Sequence, residues 1–307
     1  MTILEECPIK SIEAVKDDVM DNMYVKSVLN RVRELQSPEK VDQTRWIWEL
    51  LQNAQDSLEP NKQVSAVVNI MPDKTVTFQH DGGVFTGKAM CGLMYKYSEG
   101  KRVGESTGRF GTGFMTTLTL SQIIEVETNI YYDEDNTVVT GFRVILYRNG
   151  FNEEQIKEGL HKMRDSFQKL DRFIDFTTRF TYRNSNEDAI NYGHQSFINC
   201  GAQTMLFATK VKNFAFNYIE KKSKIERKEA KQMNHFSIHS FKVTDESKDY
   251  ERKFLVISID EPNEILTEKY ERTRNLRLQI AIEFNDTNLV SHDNKTCLYC
   301  TFPLIGS

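Results

Sequence analysis

Glu49, Asn53 and Asp56 fall at i, i+4 and i+7 in a stretch, residues 41–58, that holds neither Pro nor Gly. At that spacing all three side chains share one face of a helix. Trp46, Leu50, Leu51 and Ala54 recur at helical spacing on the other side, and Asp42 stands where it could cap the helix start. A Glu, an Asn and an Asp on one face make a poor core and a useful reaction centre. An Asn oxygen suits a hard cation such as Mg²⁺, which keeps several waters and takes phosphate oxygens as further ligands. A Glu can orient and polarise a water. Taken alone, the same pattern is an ordinary solvated helix face.

Two further segments change that balance. Val64 to Ile70 is rich in β-branched residues, and Lys74 to Gln79 alternates Val76 and Phe78 with polar neighbours. Pro72-Asp73-Lys74 between them reads as a hairpin turn. His80-Asp81-Gly82-Gly83 then ends the second strand; the glycine pair lets backbone approach a ligand closely, and a carboxylate beside it can accept a hydrogen bond from an exocyclic amine. An ordinary Asp-Gly turn has the same letters. Downstream, Gly108-x-x-Gly111-x-Gly113 precedes a helical stretch from Phe114 to Leu120. Closely spaced glycines at a helix start present backbone N–H groups to an anion. No Gly-Lys-Ser/Thr follows, and no βαβ unit surrounds the loop, so neither the Walker loop nor the dinucleotide fingerprint fits. An acid and an amide on a helix, a carboxylate at a strand end and a glycine-rich phosphate loop, in that order, together describe an ATP site.

In these three segments the chain resembles the GHKL superfamily, whose N, G1 and G2 boxes they match. That superfamily includes the gyrase B subunit, the ninety-kilodalton heat-shock chaperone, histidine kinases and MutL. WELLQNAQDS, HDGGVF and TGRFGTGF look most like the chaperone-type and sacsin-like ATP-binding domains. The likeness is sharp over about residues 45–120 and loose to about residue 212. The resemblance implies a Bergerat fold, which is an α/β two-layer sandwich: a mixed, mostly antiparallel sheet with helices on one face and ATP held between helices and a lid. It implies Glu49 as general base on the attacking water, Asn53 as the Mg²⁺ ligand, and Asp56 as an acid lining the pocket. It implies Asp81 on the adenine amino group and Gly83 beneath the adenine. Gly108, Gly111 and Gly113, with Phe114 beside them, would form the phosphate-holding end of a lid running from about Ser98 to Gly113, in which Lys101 and Arg102 could meet phosphate. A later strand should carry a Thr or Ser near the adenine, and Thr204, in the run Gly201 to Phe207, is the candidate. One departure is Phe85, which stands where the usual G1 box has a second glycine, as it does in sacsin-like relatives.

The expected activity is Mg²⁺-dependent ATP binding with slow hydrolysis, coupled to lid closure and a conformational or dimerisation switch. The alternative is an ATP-sensing module with little turnover, because superfamily members draw a cation for the γ-phosphate from a following domain and none is assignable here. A kinase is disfavoured: none of the six His lies in a phosphoacceptor helix ahead of the N box. A homodimer is one arrangement the resemblance admits, and a protein client or effector is expected but not identifiable.

Composition bounds the rest. The chain has 307 residues, 39% hydrophobic, with a net charge of −4, so no global field attracts nucleic acid or an acidic membrane. No apolar run is long enough to span a bilayer, and the N-terminus has no signal-peptide character. Five scattered Cys suit a reducing, cytoplasmic setting. Cys297 and Cys300 are formally a CxxC, but strand-like neighbours and the lack of a second pair favour a structural reading.

Residues 8–40 read as helical with a break at Ser37-Pro38, and 122–132 and 137–147 as a strand pair around a turn at 133–136. Asn152 to Arg172 reads as an amphipathic helix carrying Ile156, Leu160, Met163, Phe167 and Leu170 on one packed stripe. Lys221 to Lys231, with interleaved acids, reads as a solvated helix. Strands are expected at 235–243, 253–260, 278–284 and 297–302. The division that follows is an ATP-binding domain over 1–215 and an appended helix and β-rich region over 216–307, the latter the possible start of a transducer-like domain in a longer protein.

Overall fold

The computed structural model describes residues 7–59, 61–95, 113–131, 138–171, 176–246, 248–262, 275–285, 288–290, 299–300 and 302–303. Among them the chain is mixed α/β, with six helices and a large, open, mostly antiparallel sheet. The helices are α1 (Cys7–Glu34), α2 (Lys40–Asp56), α3 (Gly87–Tyr95), a 3-10 helix (Gly113–Thr119), α4 (Glu153–Asp165) and α5 (Glu187–Phe207).

The sheet is organised around β1 (Val64–Ile70). On one side β1 forms a tight antiparallel hairpin with β2 (Val76–His80). Asp73 Oδ1 accepts from Thr75 N–H within the turn, and Lys74 takes a positive φ of 61°. On its other side β1 runs parallel to β7 (Val211–Tyr218), more than a hundred residues later. Beyond β2 lie β6 (Thr178–Tyr182), β3 (Ile123–Tyr131), β4 (Val139–Tyr147) and the short β5 (Gln168–Leu170). Beyond β7 the same sheet continues through β8 (Lys221–Arg227), β10 (Ser237–Asp245), β11 (Lys248–Pro262), β12 (Asn275–Asn285) and β13 (Asn288–Leu289), with β9 (Lys231–Gln232) beside β10. The expected division at 215/216 falls inside β7.

Period-two burial follows from strand geometry. On β1, Val64, Ala66, Val68 and Ile70 are buried, while Ser65, Val67 and Asn69 are half-exposed. Polar partners line the alternate face: Asn217 donates to Asn69, Asn69 to Thr77, and Glu125 accepts from Arg143 and Arg183. The inward residues join the buried sides of the helices in one hydrophobic core.

Several expectations need correction. Lys221 to Arg227 is strand, not helix: Ser223 and Ile225 are buried in alternation between β7 and β10, and those cross-strand partners outweigh the local charge pattern. Gly201 to Phe207 is not a strand but the end of α5, a helix capped by the Asn186 side chain on Ala189 N–H. Asp42 does not cap α2; Glu39 holds the cap position without a side-chain bond, and Asp42 sits in the first turn. α4 ends at Asp165, so Phe167 and Leu170 lie beyond it, Phe167 exposed. Ile156, Leu160 and Met163 are core, as the stripe predicts. Residues 114–119 are 3-10 rather than α-helical. The turn at 133–136 and Cys297 lie outside the described residues.

Candidate functional site

The site is built on α2. Its inward face buries Trp46, Ile47, Leu50, Leu51 and Ala54, each large side chain contributing about 1.5–3 kcal/mol. Two indole hydrogen bonds fix the helix to α5: Trp46 Nε1 donates to Ala189 O and Trp48 Nε1 to Ser196 Oγ, both at 2.9 Å. The rotation of α2 about its own axis is thereby set. Glu49, Asn53 and Asp56 come out together on its half-exposed face, as their spacing requires.

Glu49 is the most constrained of the three. Arg45, one turn earlier, donates to its Oε1 at 2.9 Å, and the Glu49 side chain is 17% exposed. Its other oxygen lies against Gly113 at the start of the 3-10 helix. A Cβ on Gly113 would sit 2.0 Å from Glu49 Oε2, so no other residue fits there without moving the carboxylate.

The turn after β2 meets the far end of the same helix. Ser57, the C-cap of α2, accepts from Gly83 N–H at 2.9 Å and donates to Ala54 O at 2.7 Å. A Cβ on Gly83 would lie 2.1 Å from the Ser57 carbonyl oxygen, so this contact also demands glycine. Ser57 lies within the helix motif but was not singled out in the sequence; its one visible signal is its position just past the helix end, where capping groups fall.

Asp81 is exposed, and Ser65 N–H donates to its Oδ1 at 2.6 Å. That bond replaces a regular ladder contact next to the β-bulge between Val64 and Ser65. His80 is buried, and burial pushes its pKa down to about 4. Its Nδ1 accepts from Gly82 N–H at 3.1 Å, which fixes the neutral ring with its proton on Nε2. Phe85 is stitched to β3: its N–H donates to Asn129 O and its carbonyl accepts from Tyr131 N–H. These backbone bonds anchor the segment to the sheet, the Phe85 side chain packs against the core, and Thr86 Oγ1 then caps α3 through Ala89 N–H.

Glu49, Asn53, Asp56, Asp81, Gly83 and Gly113 are thus gathered along one helix and its two flanks. Phe114, 8% exposed, packs on Phe180. Gly108, Gly111, Lys101, Arg102 and the rest of the expected lid before Gly113 lie outside the described residues. Thr204 is fully buried inside α5, and among the described residues its hydroxyl has no hydrogen-bond partner. On the side of β2 away from β1 lies β6, where the residue paired with His80 is Thr178, fully buried, its hydroxyl 2.8 Å from that of Thr128.

No protein-family model matches this chain, and no curated protein matches it. Among the described residues no group of three His, Cys, Asp or Glu forms a ready metal cage. No described helix is long and apolar enough to cross a membrane.

Proposed function

We propose that this chain is a GHKL-type module that binds ATP with Mg²⁺ and hydrolyses it slowly. The observation that carries the reading is that residues from separated motifs meet on one helix, Gly83 at its end and Gly113, the last residue of the glycine-rich motif, at its middle. Gly83 lies on the Ser57 carbonyl and Gly113 on the Glu49 carboxylate, each so close that a Cβ is excluded. Motifs that matched by accident would have no reason to meet, or to need glycine where they meet. The mixed, mostly antiparallel sheet with its helices is compatible with the Bergerat two-layer sandwich, and that arrangement belongs to the proposal.

In this reading the adenine amino group donates to Asp81. Ser65 N–H orients that carboxylate by occupying Oδ1. Gly83 gives the base a flat floor, and Ser57 keeps that floor at a fixed height above α2. Glu49 holds the attacking water and takes its proton as the oxygen attacks the γ-phosphorus; the bond from that phosphorus to the bridging oxygen breaks, and ADP leaves with the electron pair. Asn53, one turn on, would hold Mg²⁺; a lone amide oxygen suits a cation that takes its other ligands from phosphate and water. Bound Mg²⁺ supplies neutralisation of the phosphate charge.

A second reading, an ATP sensor with little turnover, is favoured by one contact: Arg45 already occupies Glu49 Oε1, so the base is engaged before any water arrives. Phosphate release by the wild type and by Glu49→Ala separates the two. Release that depends on Glu49 supports hydrolysis, and ATP binding without release supports the sensor.

A further inference from the structure

Arg148 is 1% exposed, and among the described residues no carboxylate pairs with it. A buried guanidinium without a counter-ion is costly, so what it touches must compensate. It touches two separate elements. One terminal nitrogen donates to Leu93 O at 2.7 Å and lies 3.4 Å from Met94 O, both in the last turn of α3, where the helix dipole favours a cation. The other donates to Met115 Sδ at 3.1 Å, and the guanidinium carbon lies 5.6 Å from the Phe114 ring centroid. The backbone adds a third tie: Arg148 N–H donates to Gln122 O at 2.9 Å.

Those contacts bracket the 3-10 helix. Phe114 and Met115 lie in its first turn, Gln122 follows its end, and Arg148 holds both flanks. Gly113, the residue before Phe114, is the one against Glu49 Oε2. We propose that Arg148 is a positioning residue for the Glu49 centre: it sets where Gly113 meets the carboxylate and keeps the C-terminal end of α3 beside it. The proposal rests on Glu49 acting on the attacking water. Arg148 touches neither Glu49 nor, in that reading, the nucleotide; it acts through the 3-10 helix. Nothing in local sequence marks it, since it lies just past a strand with no motif around it.

The test uses the whole chain with Arg148→Met and Arg148→Lys. Hydrogen–deuterium exchange without nucleotide reads the peptides over 87–95 and 113–120, while ATP affinity and steady-state phosphate release read the site. The expected result is joint loss of protection in both peptides for Arg148→Met. With it, kcat falls by about tenfold or more while ATP affinity stays within about threefold, because misplacing a group by an ångström costs rate more than binding. Lysine keeps the charge but has one nitrogen to share between the two elements, so Arg148→Lys is expected to fall between; should the methionine variant not fold, this variant carries the test. Unchanged protection in both peptides, or equal losses in kcat and affinity, overturns the proposal. Wild type that binds no ATP overturns the functional reading and the positioning role with it. The exchange data then distinguish that outcome from a failure of the clamp.

Discussion

Replacing Gly113 with alanine separates position from mere presence at the Glu49 centre. The new Cβ would lie 2.0 Å from Glu49 Oε2, whereas ordinary contact begins near 3.4 Å, so the carboxylate must retreat by 3.4 − 2.0 = 1.4 Å. It can do so at modest cost, because the obstacle is the end of a flexible side chain on a half-exposed helix face. Stability should therefore fall by only about 1 kcal/mol. Catalysis should suffer far more, since a displacement of that size at a reacting group costs roughly a hundredfold in rate. Gly83→Ala is the matched control. There the new Cβ would meet the Ser57 backbone carbonyl at 2.1 Å, and a C-cap carbonyl cannot rotate away. That variant should lose about 1–3 kcal/mol of stability, or more, and ATP affinity with it. Thermal melts, ATP titration calorimetry and phosphate release measure all three quantities. The reasoning is refuted if Gly113→Ala turns over ATP within twofold of wild type while Glu49→Ala does not, or if Gly113→Ala is the more destabilised of the two glycine variants.

Two more variants bear on the turn between β2 and α3. Ser57→Ala removes the hydroxyl that joins Gly83 N–H to Ala54 O; denaturant melts should show a loss of about 1–2 kcal/mol, and calorimetry should show weaker ATP binding. His80 has a folded pKa of about 4 against 6.5 for the free ring, so between those values the unfolded chain binds more protons. Its contribution to stability is complete above pH 6.5 and is lost as pH falls toward about 4, amounting to (6.5 − 4) × 1.36, or about 3 kcal/mol. Urea melts across that range should slope for wild type and be flatter for His80→Asn, which removes the titrating ring.

Much of the site's skeleton was legible because it is local. The i, i+4, i+7 spacing sets the polar face of α2 wherever the helix packs, and the β1–β2 hairpin carries its own turn chemistry in Asp73 and Lys74. What was not legible depends on distant partners. The run from Gly201 to Phe207 has apolar and small residues that fit a short strand or a helix end equally, and the choice is made by the Asn186 cap fifteen residues upstream. The charged run from Lys221 to Arg227 became a strand because β7 and β10 lie on either side. The pairing of Thr178 with His80 is equally non-local, since it exists once β6 lies beside β2. Ser57 and Arg148 join elements far apart in sequence, and single hydrogen bonds of that kind leave no periodic trace.

The most direct test of the account is calorimetric titration of ATP with Mg²⁺ into wild type and Asp81→Asn. The substitution is isosteric, and the Asn oxygen can still accept from Ser65 N–H, so the turn and the melt should be preserved. What changes is the other oxygen, replaced by an amide donor, which in this account would face the adenine amino group. The account predicts that wild type binds and that Asp81→Asn binds at least about tenfold more weakly, the value of a hydrogen bond to a charged group. Equal binding by the two, or no binding by wild type, would contradict it.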